Sequence, residues 1–229
     1  MTEKRLTNLK ILLAEDEPFM RAVLEKTLVS EGAWVAACAD GSDALATAQS
    51  ALVVDIVLLD FMMPAIHGLY LLKKIRTAKA GVRYDIPVGI LTGASDQKIV
   101  SLSMMLDCDA FLVKPVSKAQ LIERVERLRN RMGRKLPAPE SYNHLLVGDP
   151  HDVDTIPDPS ALPSSETVGA QQVRKTVNTL TVGMVLAENL LSSEDSLIVP
   201  AKTVITDALL ILLRDLDNVT PLKPVAVVA

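Results

Sequence analysis

Hydrophobic positions over the first 132 residues alternate between two textures. Short runs in which nearly every residue is apolar suit parallel strands buried on both faces. Longer stretches with apolar residues every three or four positions suit helices that bury one side. Strands are predicted at Lys10–Ala14, Trp34–Ala39, Ile56–Leu59, Pro87–Leu91 and Ala110–Val113. A helix follows each. The first runs from Pro18 to about Gly32, with Val23, Leu24, Thr27 and Leu28 as its apolar face. The second spans Ser42–Ser50 with Ser42 as its cap, and the third runs from Gly68 to about Thr77 with Leu69, Leu72 and Ile75 inward. The fourth, capped by Ser95 or Asp96, ends near Leu106, and the fifth runs from Ser117 to about Met132 with Leu121, Ile122, Val125, Leu128 and Met132 in register. Strict alternation of strand and helix implies a doubly wound, five-stranded parallel sheet.

Beyond Arg134 the pattern lapses. Residues 136–172 contain 6 of the 13 prolines, 6 acidic residues and no Lys or Arg, the composition of an extended acidic linker. Apolar patterning resumes in residues 173–229, where Val177–Leu191 and Ser196–Ile205 read as strands joined by a polar turn at Ser192–Asp195. Thr206 can cap a helix over Asp207–Leu216 whose segment Ala208–Leu213 is wholly apolar. That helix should be buried nearly all round, and a unit of 57 residues has little core in which to bury it. The organisation expected is therefore a domain over 1–135, a linker over 136–172 and a small, mainly β unit with one helix over 173–229. The last should self-associate, giving a homodimer, or dock on a protein partner, unless it folds back on the first domain.

Charge and composition narrow the function. The chain carries a net charge of −4, divided as +3, −6 and −1 among the three segments. No positive field extends over it, and the tail has neither an aromatic residue nor a helix-turn-helix pattern, so nucleic acid is not an expected partner. The basic end of the fifth helix (Arg124, Arg127, Arg129, Arg131, Arg134, Lys135) reads as a solvated face. Cys38 and Cys108 are far apart in sequence and read as buried small side chains. His151-Asp152 forms an HD dipeptide, but with three histidines in the chain it reads as coincidence. No leader pattern and no apolar run of about 20 residues is visible, which implies a cytoplasmic protein without a membrane span.

The chemistry lies at the strand ends. Strands one, three, four and five finish in Glu15-Asp16, Asp60, Thr92 and Lys114, at the edge where a doubly wound sheet opens its crevice. Three carboxylates together need a hard cation, and an oxygen-only donor set suits Mg²⁺. Asp60 can act as a nucleophile toward phosphorus, with Lys114 and Thr92 meeting charge on the phosphoryl oxygens. A lone histidine, His67, reads as filler in an exposed turn.

The stretches I-L-L-A-E-D-E-P, V-L-L-D-F-M-M-P-A-I-H-G-L, I-L-T-G-A-S and F-L-V-K-P resemble the receiver domain of two-component response regulators, over about residues 8–132. The resemblance implies a flavodoxin-like fold with Asp60 as phosphoacceptor. It also implies Asp16 as a direct Mg²⁺ ligand, Glu15 as a second acid acting through water and Met62 as a backbone-carbonyl ligand. Thr92 becomes the phosphate-sensing hydroxyl, Phe111 the aromatic that follows it, and Lys114 the phosphate-binding cation. Departures are small: Glu15 stands where Asp is usual, His67 where Asp or Asn often precedes the glycine, and Phe111 lacks a hydroxyl. The implied partner is a histidine kinase or phosphotransfer protein, with no enzymatic activity beyond phosphorylation and dephosphorylation at Asp60. The competing expectation is a transcription regulator or adaptor whose receiver is degenerate and never phosphorylated. In the tail, L-T-V-G-M-V-L-A-E-N and L-I-V-P-A-K-T-V-I-T-D-A-L-L resemble the small domain beside HD-GYP phosphodiesterase domains, with Lys202 where Gly is usual and the catalytic part absent.

Overall fold

A computed structural model of the chain describes residues 4–50, 53–93, 97–156, 173–193, 197–199, 201, 203, 205, 207–217 and 221–228. Strands β1 (Lys10–Ala14), β2 (Trp34–Cys38), β3 (Ile56–Asp60), β4 (Val88–Thr92) and β5 (Ala110–Val113) form one sheet in the order β2-β1-β3-β4-β5. Every pairing is parallel. β3 and β4 lie inside the sheet and are buried along their whole length, as their unbroken apolar runs require.

Helices α1 (Pro18–Ser30), α2 (Gly41–Gln49), α3 (Gly68–Arg76) and α5 (Lys118–Asn130) complete this unit, which takes in the described residues up to Gly93 and those from Cys108 to Ile156. Alternation along the strands divides the core. Ile11, Leu13, Ile56, Leu58, Leu91, Ala110 and Leu112 pack with Leu24 and Leu28 of α1 and Leu121, Val125 and Leu128 of α5. Phe111, between Ala110 and Leu112, therefore points to the opposite face, where it is buried. Val23 and Met132 depart from the predicted faces, at 41% and 43% exposed, because the stripe α1 buries is narrower than its apolar sequence and α5 ends at Asn130.

Helix caps explain most boundary differences. Asp40, one turn before Asp43, accepts from the Asp43 N–H and starts α2, so Ser42 lies inside the helix instead of capping it. Ser117 caps α5 in a reciprocal arrangement with Gln120. Ser95, Asp96 and Thr206, the caps expected elsewhere, lie outside the described residues.

Two expectations fail downstream. Residues 136–156 contain no Lys or Arg yet are not a bare linker: Tyr142, Leu145, Val147 and Ile156 are buried, and short 3-10 turns form at Pro139–Tyr142 and Val153–Thr155. The first of these turns packs against α3. Composition missed this because four apolar anchors are diluted among prolines and acids. At the basic end of α5, Arg131 and Arg134 do not form a solvated face but turn toward the buried Asp109.

The second unit contains α4 (Gln97–Met105) together with the described residues from Val173 onward. Strands β6 (Val173–Lys175), β7 (Val185–Leu186) and β10 (Val225–Val228) form an antiparallel sheet ordered β6-β10-β7, and β8 (Leu190–Leu191) pairs with β9 (Leu197–Val199). The two long strands expected here are thus broken, one of them by a 3-10 turn at Val177–Thr179 and a reversal at Gly183 with φ +93°. Helix α6 (Asp207–Asp217) matches the predicted span and buries Leu209, Leu210 and Leu213. α4 packs against β9, and Ile99 through Met104 are all buried, serines included. The core of the unit is therefore larger than 57 residues supply, which removes part of the reason to expect self-association.

Candidate functional site

Glu15, Asp16, Asp60, Thr92 and Lys114 come from four neighbouring strand ends, and parallel register brings them to one edge. Glu15 directly follows β1, and its N–H donates to the Cys38 carbonyl at 3.2 Å. Asp60 is the last residue of β3 and pairs in register with Leu91 of β4. One oxygen from each of Glu15, Asp16 and Asp60 lies within 4.8 Å of the others. Lys114 Nζ bridges two of these acids, 2.8 Å from Asp60 Oδ2 and 2.9 Å from Glu15 Oε1.

Three carboxylates against one ammonium leave two negative charges, which a divalent cation would balance. Glu15 Oε2 is buried without a hydrogen-bond partner, a costly position for a carboxylate oxygen and one that a cation or its water would satisfy. All the donors are oxygens, so the set fits a hard cation that retains water. Met62, two residues beyond Asp60 and the expected backbone-carbonyl ligand, is exposed at 53%.

Burial raises the Asp60 pKa to about 6, aided by the charges of Glu15 and Asp16 and opposed by the hydrogen bond and charge of Lys114. Burial alone would lower the Lys114 pKa, but its bonds to Asp60 and Glu15 prevail and raise it. The pair is therefore a carboxylate held near the point of protonation beside an ammonium that keeps its proton. Thr92 is buried at the end of β4, with its hydroxyl donating to the Gly93 carbonyl at 3.1 Å.

The connection after Asp60 is packed tightly. A Cβ on Gly68 would lie 2.3 Å from the Asp60 carbonyl oxygen, and one on Gly41 would lie 1.9 Å from that of Ile66. Both positions need glycine. His67 is not an exposed filler residue: it is buried and caps α3, its Nδ1 accepting from the Tyr70 N–H at 3.2 Å. Burial lowers its pKa, and in the neutral ring Nε2 carries the proton and donates to the Asp149 carbonyl at 3.1 Å. Sequence reasoning also missed Arg21, whose Nη1 donates to the carbonyls of Glu15 and Asp16 at 2.7 and 3.0 Å and so pins the acidic turn. Its only signal was a basic residue one turn into the helix that follows the acids. His151 and Asp152 belong to no metal-binding group among the described residues.

The fold and the strand-end site define a doubly wound α/β domain with an acidic cluster and a lysine at one sheet edge, and sequence comparison identifies the family. Residues 11–126 match the response regulator receiver domain, and the chain belongs to that family. Relatives include the DNA-binding response regulator MtrA of Mycolicibacterium smegmatis, 36% identical over 140 residues that make up 61% of this chain and 57% of that protein. Another is the probable transcriptional regulatory protein TcrX of Mycobacterium tuberculosis, 31% identical over 68% of this chain and 66% of that one. The chain thus spans less than two thirds of either relative. A solved structure, the receiver domain of the Pseudomonas aeruginosa sensor histidine kinase PA1611 with a magnesium ion in its active-site cleft, is 29% identical. It covers 53% of this chain and 98% of its own, with a TM-score of 0.48. Among the described residues, no helix is long and apolar enough to cross a membrane.

Proposed function

We propose that this receiver accepts a phosphoryl group on Asp60 from a phosphohistidine of a kinase or phosphotransfer protein, with Mg²⁺, and so controls a protein-interaction output. The observation that carries the reading is the convergence of Asp60, Lys114 and the Glu15–Asp16 pair, with a buried carboxylate oxygen left unpartnered. An Asp60 carboxylate oxygen attacks phosphorus; the new O–P bond forms as the N–P bond of the donor breaks, and the imidazole leaves with a proton. Lys114 holds a phosphoryl oxygen, and the Thr92 hydroxyl turns to another. Glu15, Asp16, Asp60 and the Met62 carbonyl would hold Mg²⁺, which supplies charge neutralisation at the phosphoryl oxygens. Loss of the Thr92 hydroxyl from its present bond would then be felt by Phe111 on the adjacent strand β5, through packing alone.

Acetyl phosphate with Mg²⁺ should add one phosphoryl mass to the intact protein, and excess chelator or Asp60→Asn should abolish the addition. Addition that survives in the variant would reject Asp60. Thr92→Ala should still be phosphorylated but respond poorly in an output assay.

The second unit is the proposed output element, and its likeness to the small domain beside HD-GYP domains is a reading of sequence alone. The names of the relatives favour a second reading, transcriptional regulation, in which residues 173–229 would bind DNA. The tail composition argues against it, and salt-sensitive binding of the phosphorylated protein to genomic DNA fragments would revive it.

A further inference from the structure

The loop Phe61–His67 that leaves the phosphoacceptor is gripped by chain far downstream. The His67 N–H donates to the Pro150 carbonyl at 3.1 Å, and the imidazole Nε2 lies 3.1 Å from the Asp149 carbonyl. One turn into α3, the Lys73 ammonium donates to the Leu145 carbonyl. Tyr142, Leu145, Val147 and Ile156 anchor the segment by burial. The segment also closes on itself: Thr155 Oγ1 donates to the Asp152 carbonyl at 2.6 Å, and Gly148, at φ +77°, leaves no room for a Cβ beside Thr155 and Ile156. It is a folded strap with the loop as one of its supports. From the other side the same loop is confined by Gly41 and Gly68.

We infer that strap docking at residues 139–156 and occupancy of the Asp60 site are thermodynamically linked, with His67 as the positioning residue between them. The inference rests on the reading of Asp60 as phosphoacceptor. Asp60 and Met62 stand at the start of the loop and His67 at its end. A ligand that fixes Asp60 and the Met62 carbonyl removes freedom from the stretch that the strap must also order, so each event lowers the cost of the other. The strap leads on to the second unit in sequence, so the linkage gives the phosphorylation state a route to the tail that does not pass through Thr92.

Hydrogen exchange on the full chain tests this, with beryllium fluoride and Mg²⁺ as a stable mimic of a phosphorylated carboxylate. In the wild type, loading should slow exchange severalfold both in the loop peptide (61–67) and in the strap peptide (142–156). His67→Asn keeps an N-cap for the Tyr70 N–H but is too short to reach Asp149. Its loop should still respond to loading while its strap no longer does. Leu145→Ser, which removes a strap anchor without touching the loop, should give the same uncoupling. Strap exchange that stays unchanged or speeds up while the wild-type loop is protected would overturn the linkage, as would a wild-type response in both variants. A loop that fails to respond in the wild type would count against the phosphoacceptor reading instead. The ligand-free comparison then decides the strap: exchange over 142–156 must be severalfold faster in His67→Asn, and equal rates overturn the assignment.

Discussion

In the proposed role Asp60 would have to be buried enough to react and charged enough to bind metal, and its surroundings pull in both directions. In metal-free protein its folded pKa of about 6 lies above the ordinary 3.8, so between these values the folded state holds a proton that the unfolded state has lost. The Asp60 contribution to stability is therefore full below about pH 4 and falls, by an amount on the order of 3 kcal/mol, as pH rises through about 6. Thermal denaturation in chelator from pH 4 to 7 should reveal that decline in the wild type and not in Asp60→Asn, and Mg²⁺ should reduce it. A decline of equal size in both proteins would mean that Asp60 is not its source. The charged site residues were legible in sequence because chemistry fixes their type. Arg21 and His67 were not, because each acts through backbone groups whose positions exist only after folding.

At the scale of elements, the sheet was readable almost to the residue because apolar runs mark strands buried on both faces, and β1 and β5 match their predicted spans. What escaped were contacts that join elements far apart in sequence. Asp109, just before β5, accepts from the Val88 N–H at the start of β4, from Arg76 at the end of α3 and from Arg134 beyond α5. Arg76 and Asp109 have fully buried side chains, so this one carboxylate ties four elements together at the end of the sheet away from the site. Asp109→Ala would leave buried guanidinium groups without their counter-charge and should cost about 3–5 kcal/mol in a denaturant titration, with a fall in midpoint and no change in slope. A loss below about 1 kcal/mol would mark the cluster as incidental. The Pro-rich segment after α5 teaches the same lesson, since Tyr142 and Leu145 are buried in a stretch whose average composition is that of a linker.

For the whole molecule, α4 belongs with the C-terminal elements although it lies inside the receiver sequence. A fragment beginning at residue 173 would lack the helix against which β9 packs. Such a fragment should self-associate or fail to fold, whereas the full chain should sediment as a monomer; a folded, monomeric fragment would show that α4 is dispensable to the unit. The central claim concerns Asp60 and is tested most directly by locating the phosphoryl group. After reaction with acetyl phosphate and Mg²⁺, borohydride reduces an acyl phosphate to the alcohol, which marks the modified residue permanently for peptide mapping. The mark should fall on Asp60 alone and vanish in chelator. Its appearance on another carboxylate, or its absence in protein that has taken up the phosphoryl mass, would contradict the assignment.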